Sequence, residues 1–221
     1  MLQMLESVRQ AVRLADLRRK LLYTAALLAV FRVGAYIPVP GVHARELAEV
    51  LGTEGGTIFG FLNLFSGGAL GRFTIFAMGV NPYITASIIL QLLTVVIPRL
   101  EELAKEGVEG RKILQQYVRY GTVVLGIVQG AGITFMARNL GVIADPTWFK
   151  LILIVITLTA GTSFLMWLGE KITEHGIGNG ISLIIFAGIV AELPLGTINV
   201  LRAVGEGGIN PFSLALFAIL A

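Results

Sequence analysis

The residues able to do chemistry in this 221-residue chain are few and scattered. There is no cysteine, which excludes disulfides, thiolate ligands and a cysteine nucleophile. The two histidines, His43 and His175, lie far apart in sequence. No HExxH, GxSxG or P-loop pattern occurs. Gly176, Gly178 and Gly180 have neither the spacing nor the preceding strand of a dinucleotide fingerprint. Glu170 and Glu192 do not make a carboxylate pair, because they fall at span ends on opposite sides. The pattern predicts no enzyme, no cofactor and no metal. What remains is a set of polar groups inside apolar runs: Arg32, then Asn81, Pro82, Thr85, Ser87 and Gln91. An ionisable group at membrane depth is a functional candidate by default. Arg32 sits toward the end of its run, where snorkelling or lining a cavity favours a structural role.

The elements that must position these groups follow from composition. Apolar residues make up 55% and charged residues 14%. A soluble domain carries about 25% charge, so this chain lacks the charge to coat a globule. Disordered chains are apolar-poor and charge-rich, the opposite pattern. The 27 glycines suit membrane helices, where glycine is frequent. A bilayer core needs a run of about 20 apolar residues. Such runs, uncharged apart from Arg32, cover 21–39, 73–98, 120–137, 151–169 and 176–191, and another begins at 212. The expected architecture is all-α: a polytopic bundle of five spans and the start of a sixth over 211–221, with more chain to follow. Of the 17 Lys and Arg, eleven lie before span 1 or between spans 2–3 and 4–5, and five lie on the other side. The richer side is cytoplasmic, which places the N-terminus inside. Leu5, Val8, Val12 and Ala15 fall at helical spacing, so 1–20 is expected to be an amphipathic helix on the cytoplasmic membrane face. The run 21–39 is too long for the apolar region of a cleaved signal peptide, and further spans follow it.

Several stretches break the simple pattern. Residues 57–70 are uncharged but too few to span, which suits a re-entrant or an interfacial segment. A re-entrant backbone needs protein or a water-filled cavity around it. Pro82 is expected to kink span 2. The glycines at 176, 178 and 180 predict a cytoplasmic hairpin tip. Gly126 and Gly130 predict close helix packing. Pro194, Gly196, Gly205, Gly207 and Gly208 predict a non-helical external hinge over 194–210.

Four segments carry a resemblance: FRVGAYIPVPG (31–41), FLNLFSGGALGRFTIFAMGVNPYITASIILQLL (61–93), EGRKILQQYVRYGT (109–122) and GEKITEHGIGNGISLIIFAGIV (169–190). They closely resemble the N-terminal half of bacterial SecY, the family of channel subunits of the protein-conducting translocon. The resemblance implies half of a ten-span channel made of two inverted repeats, in the bacterial inner membrane. It implies that 57–70 is a plug, with Phe61, Leu62, Leu64 and Phe65 in it, and that span 2 is a lateral-gate helix. Carried over by motif, Ile84, Ile88, Ile181 and Ile185 match a hydrophobic pore ring, and Gln91 and Gln129 match polar gate positions. The implied partners are translocating polypeptides, the C-terminal half of the same protein, SecE and SecG-like small subunits, the SecA motor or a ribosome on the cytoplasmic side, and membrane lipids. The physics is compatible. Ile84 and Ile88 are four apart, as are Ile181 and Ile185, so each pair shares a helix face. An aliphatic constriction resists wetting. A secondary transporter also uses broken helices, but it needs polar groups clustered at the midplane, where spans 2 and 5 are rich in isoleucine.

Overall fold

The structure, a computed structural model, describes residues 15–42, 63 and 66–205, with backbone alone for 195–205. Among the described residues six helices follow in order: α1 (Ala15–Gly34), α2 (Asn81–Val96), α3 (Pro98–Lys105), α4 (Val108–Asn139), α5 (Trp148–His175) and α6 (Gly180–Gly205). β pairing among the described residues is confined to two isolated antiparallel bridges, Pro38 with Thr74 and Val42 with Ile143. They stitch the link after α1 to the segment before α2 and to the α4–α5 turn.

Length and apolar character make α4 and α5 able to cross a membrane. At 1.5 Å per residue, the 32 residues of α4 reach about 48 Å, well beyond a core of about 30 Å. α2 and α3 make a third candidate if their bent pair, turned by 103°, counts as one span. Gly180–Pro194 is a shorter apolar helix. α1 carries Arg18, Arg19 and Lys20 within its own length, so its apolar part is short.

Four expectations need correction. Residues 15–20 are not part of a separate N-terminal element; they open the continuous helix α1, while 1–14 lie outside the described residues. The expected 26-residue span 73–98 is helical only from Asn81 to Val96. Phe73 (φ 44°) and Gly79 (φ 57°) take left-handed backbone that a helix cannot use. Pro82 therefore starts a helix and does not kink one: it sits in the first turn of α2, where a missing N–H costs nothing. The non-helical hinge does not begin at Pro194, because α6 runs through it to Gly205. Membrane helices tolerate proline where neighbours re-satisfy the freed carbonyl. Residues 206–221, with the rest of the expected hinge and the start of span 6, lie outside the described residues.

α5 organises the packing, contacting α4, α6, α1 and, more lightly, α2. Lipid is as apolar as leucine, so close backbone approach and dispersion hold such helices together. Gly126 fits against Thr159, and Gly130 against Met78 and the Val155 carbonyl, as the GxxxG spacing predicted. At Gly161 a Cβ would strike the Ile75 carbonyl, so the segment before α2 lies directly on α5. Two clusters result. One joins Val39, Phe73, Met78, Val142, Ile154 and Leu158. The other joins Phe31, Phe76, Leu165, Leu168, Ile172 and Ile184.

Candidate functional site

The α5–α6 turn shows how the sequence fixes one end of the bundle. Residues 176–179 are non-helical, with Gly178 at φ 69°, as the glycine series predicted. Thr24 of α1 accepts a hydrogen bond from the Ile177 N–H at 3.2 Å. Thr173 of α5 accepts one from the Gly180 N–H at 2.8 Å. The Asn179 side chain accepts one from the Ser182 N–H at 3.2 Å, capping α6. A Cβ on Gly180 would run into the Gly169 carbonyl, so α5 and α6 meet there backbone to backbone. This contact sets Ile181 against Gly169.

Beside the turn lies a cavity of about 640 Å³, walled by Tyr83 of α2, Gln115 and Arg119 of α4, Glu170 of α5, and Asn179 and Ile181 of α6. Arg119 grips Glu170 with two hydrogen-bonded contacts of 2.9 Å, from Nε and Nη2. This fork geometry is the strong form of an ion pair. Gln115 adds a third, longer contact at 3.5 Å. Glu170 is largely buried while Arg119 is half exposed, so solvent screens the pair only in part. Glu170→Gln is expected to cost about 1 kcal/mol of stability in a denaturant titration in detergent micelles. Lys112→Ala, which breaks the exposed pair with Glu109, is expected to cost nothing measurable.

Three of the four expected ring residues pack against one apolar cluster, and of these Ile181 also lines the cavity. Ile84, Ile181 and Ile185 all pack against the cluster of Phe31, Phe76, Leu168, Ile172 and Ile184. Ile88, one turn beyond Ile84, is instead 51% exposed and stands outside that cluster. The glutamines do not share a cavity. Gln91 donates to Ser87 Oγ at 3.3 Å and lines a space of about 430 Å³ with Arg111 and Gln115. Gln129 lines a separate space of about 320 Å³ with Asn81, Met78 and Leu70.

Phe61, Leu62, Leu64 and Phe65 lie outside the described residues. The adjoining residues 66–70 form a buried turn. Asn63 anchors it: its carbonyl accepts from the Gly68 N–H at 2.9 Å and its side-chain oxygen from the Gly71 N–H at 2.7 Å. Ser66 Oγ accepts from the Leu70 N–H at 3.1 Å. The sequence reading missed the ionic contacts of Arg119 with Glu170 and of Arg72 with Glu192, to which Arg32 adds a longer one. The second spans 120 positions, so no local pattern announces it. A lone acid and a lone base at the outer ends of apolar runs were its only sequence signal.

Comparison with known proteins bears on this geometry. The family model described as SecY matches residues 74–221. The protein translocase subunit SecY of Escherichia coli is 50% identical over 211 residues, covering 94% of this chain and 48% of that protein. The subunit of the same name from Thermus thermophilus is 47% identical over 228 residues, covering 99% and 52%. The chain thus spans about half the length of the curated relatives it matches. A solved structure of a protein conducting channel superimposes with a TM-score of 0.61 at 24% identity, over 90% of this chain and 44% of that one. Sec61 in a canine ribosome–channel complex from the endoplasmic reticulum gives the same score, identity and coverage. Likeness at these identities speaks for the fold. Taken with the apolar helices that can cross a membrane, the family match over residues 74–221 establishes that this membrane chain belongs to the SecY family.

Proposed function

We propose that the chain is the N-terminal half of a channel subunit that moves unfolded polypeptides across the bacterial inner membrane and releases hydrophobic segments sideways into lipid. The observation that carries this reading is a gradient of chemistry. A polar cavity beside the α5–α6 turn has Arg119, Glu170 and Asn179 in its walls and the aliphatic Ile181 at its edge, and Ile181 packs with Ile84 against one apolar cluster. Polar walls hold water and admit a hydrated chain. Aliphatic walls offer a peptide no hydrogen-bond partner, so passage does not depend on its sequence. Ile84, Ile88, Ile181 and Ile185 form this half's share of the waist, and residues 57–70, including Phe61, Leu62, Leu64 and Phe65, form the plug on the outer side. Gln91 and Gln129 belong to the lateral gate along α2 and α4. The second half of the protein and small single-span subunits of the SecE and SecG kind complete the channel. A SecA motor or a ribosome feeds it from the cytoplasm. The test is reconstitution of the full-length protein with its small subunits and SecA in vesicles. Protease-protected secretory polypeptide, dependent on ATP, is the expected result; polypeptide that stays fully digestible would overturn the reading.

Orientation has its own check, because these 221 residues contain no cysteine to obscure a reporter and any in the rest of the protein can be replaced by serine. A single cysteine at Lys112 is expected to react with a membrane-impermeant maleimide only in inverted vesicles. One at Lys150 is expected to react only in intact, outer-membrane-permeabilised cells. The reverse pattern would place the N-terminus outside.

A further inference from the structure

We infer that Glu192 is a latch: it holds residues 66–72 against α6 and thereby keeps the resting channel sealed. The inference rests on the channel reading above and assigns a role to a residue that reading does not use. Its geometry begins with glycine. Gly67 (φ 64°) and Gly68 (φ 77°) both adopt left-handed backbone. A Cβ on Gly67 would lie 2.9 Å from the Cα of Gly188, and one on Gly68 would run into Glu192 Oε1. The segment therefore lies backbone-on-backbone against α6, and Glu192, one helical turn beyond Gly188, closes over it.

Charge then fastens the contact. Arg72 Nη2 stands 3.3 Å from Glu192 Oε1, and Arg32 Nη2 stands 3.7 Å from the same oxygen. Arg32 Nη1 also donates to the Gly67 carbonyl at 3.1 Å. Both guanidinium groups lie over the Tyr36 ring, at 5.1 Å for Arg32 and 4.6 Å for Arg72. Among the described residues Arg72 Nη1 is buried with no hydrogen-bond partner, and Glu192 is the acidic group that Arg72 meets, through Nη2. Glu192 is largely buried, so these charges interact more strongly than an exposed pair such as Lys105 with Glu101. Three elements are tied through one carboxylate: α1 by Arg32, the segment before α2 by Arg72, and α6 by Glu192 itself.

The arithmetic of charge gives the latch a direction. Among the described residues two guanidinium groups face one carboxylate, so removing the carboxylate leaves two cations crowded together. Neutralising Glu192 is therefore worse than neutralising either arginine. The segment is pushed off α6, and its seal on the outer side loosens. An outward shift of the α6 end during channel opening would have the same effect, because it withdraws the carboxylate from both arginines at once.

The test uses the full-length protein with its small subunits in planar bilayers, read as resting ion conductance, beside the vesicle translocation assay. Glu192→Gln is expected to raise resting conductance by about fivefold or more, the lower end of coupling between two states. Arg72→Gln added to Glu192→Gln is expected to give no further rise, because the repulsion has then been relieved. Gly188→Leu, which keeps every charge but displaces Gly67, is expected to leak as well, and it carries the test should Glu192→Gln fail to assemble. The latch is overturned if the first variant to assemble translocates polypeptide yet conducts at rest like the parent, or if the Glu192 and Arg72 effects multiply independently. A parent protein that translocates nothing would instead overturn the channel reading.

Discussion

Replacing both Ile84 and Ile181 with glycine in the full-length protein is expected to raise resting ion conductance by about tenfold or more, since a barrier lowered by about 1.4 kcal/mol is a factor of ten. Each isoleucine packs an aliphatic side chain against the same apolar cluster, and Ile181 also lines the cavity beside the α5–α6 turn. An apolar constriction keeps ions out by refusing water, and glycine removes the apolar surface while widening the gap. Leucine at the same positions keeps volume and polarity, so Ile84→Leu with Ile181→Leu is expected to conduct like the parent. Ile88 sharpens the experiment. Its helical spacing puts it on the same face as Ile84, yet it is 51% exposed in the described half. Ile88→Gly is therefore expected to leak less than Ile84→Gly. Equal leaks would mean that the second half covers Ile88 as fully as this half covers Ile84.

The second large effect belongs to Gly180. Gly180→Leu is expected to cost about 3 kcal/mol or more, the upper range for overpacking, and to remove most folded protein from detergent extracts. The reason is the identity of the obstacle. A Cβ there meets the Gly169 carbonyl and the Ile172 Cβ, and neither can swing aside like the tip of a long side chain. Relief requires α5 and α6 to separate, which would also break the Thr173 and Thr24 contacts to the turn. Gly132→Ala is the control. A Cβ at Gly132 meets nothing within 4 Å, and alanine favours the α4 helix by about 1 kcal/mol. That variant is expected to be as stable as the parent or more so, measured by denaturant titration in detergent micelles.

How much of this was legible in the sequence depends on the range of the interaction. The turn at 176–179 was legible because alternate glycines break a helix wherever they stand. Gly126 and Gly130 were legible because four residues is one helical turn, so both fall on one packed face. Pro82 was found but misassigned. A proline in an apolar run suits either a kinked interior or a first turn, and the choice rested on the backbone just before it, where Gly79 is left-handed. Pro194 misled in the opposite sense, since α6 continues through a residue that would break a soluble helix. The ion cluster at Glu192 left no more in the sequence than lone charges at the ends of apolar runs. Arg32, Arg72 and Glu192 come from three separated segments, and only the folded chain brings them onto one oxygen. Ile184 was passed over for a similar reason. It lies between the motif positions Ile181 and Ile185, yet it is the isoleucine of that turn that is fully enclosed, at 2% exposure.

The central claim is that polypeptide passes along the face carrying Ile84 and Ile181. The most direct measurement places a photo-cross-linking amino acid singly at Ile84, at Ile181 and at Ile156, with a secretory polypeptide stalled in the full-length channel. Ile156 is an exposed residue of α5 on an apolar groove away from the cavity, and it serves as the reference. Cross-links to the stalled chain from Ile84 and Ile181, with lipid adducts alone from Ile156, are the predicted result. Cross-links from Ile156 with none from Ile84 or Ile181 would contradict it.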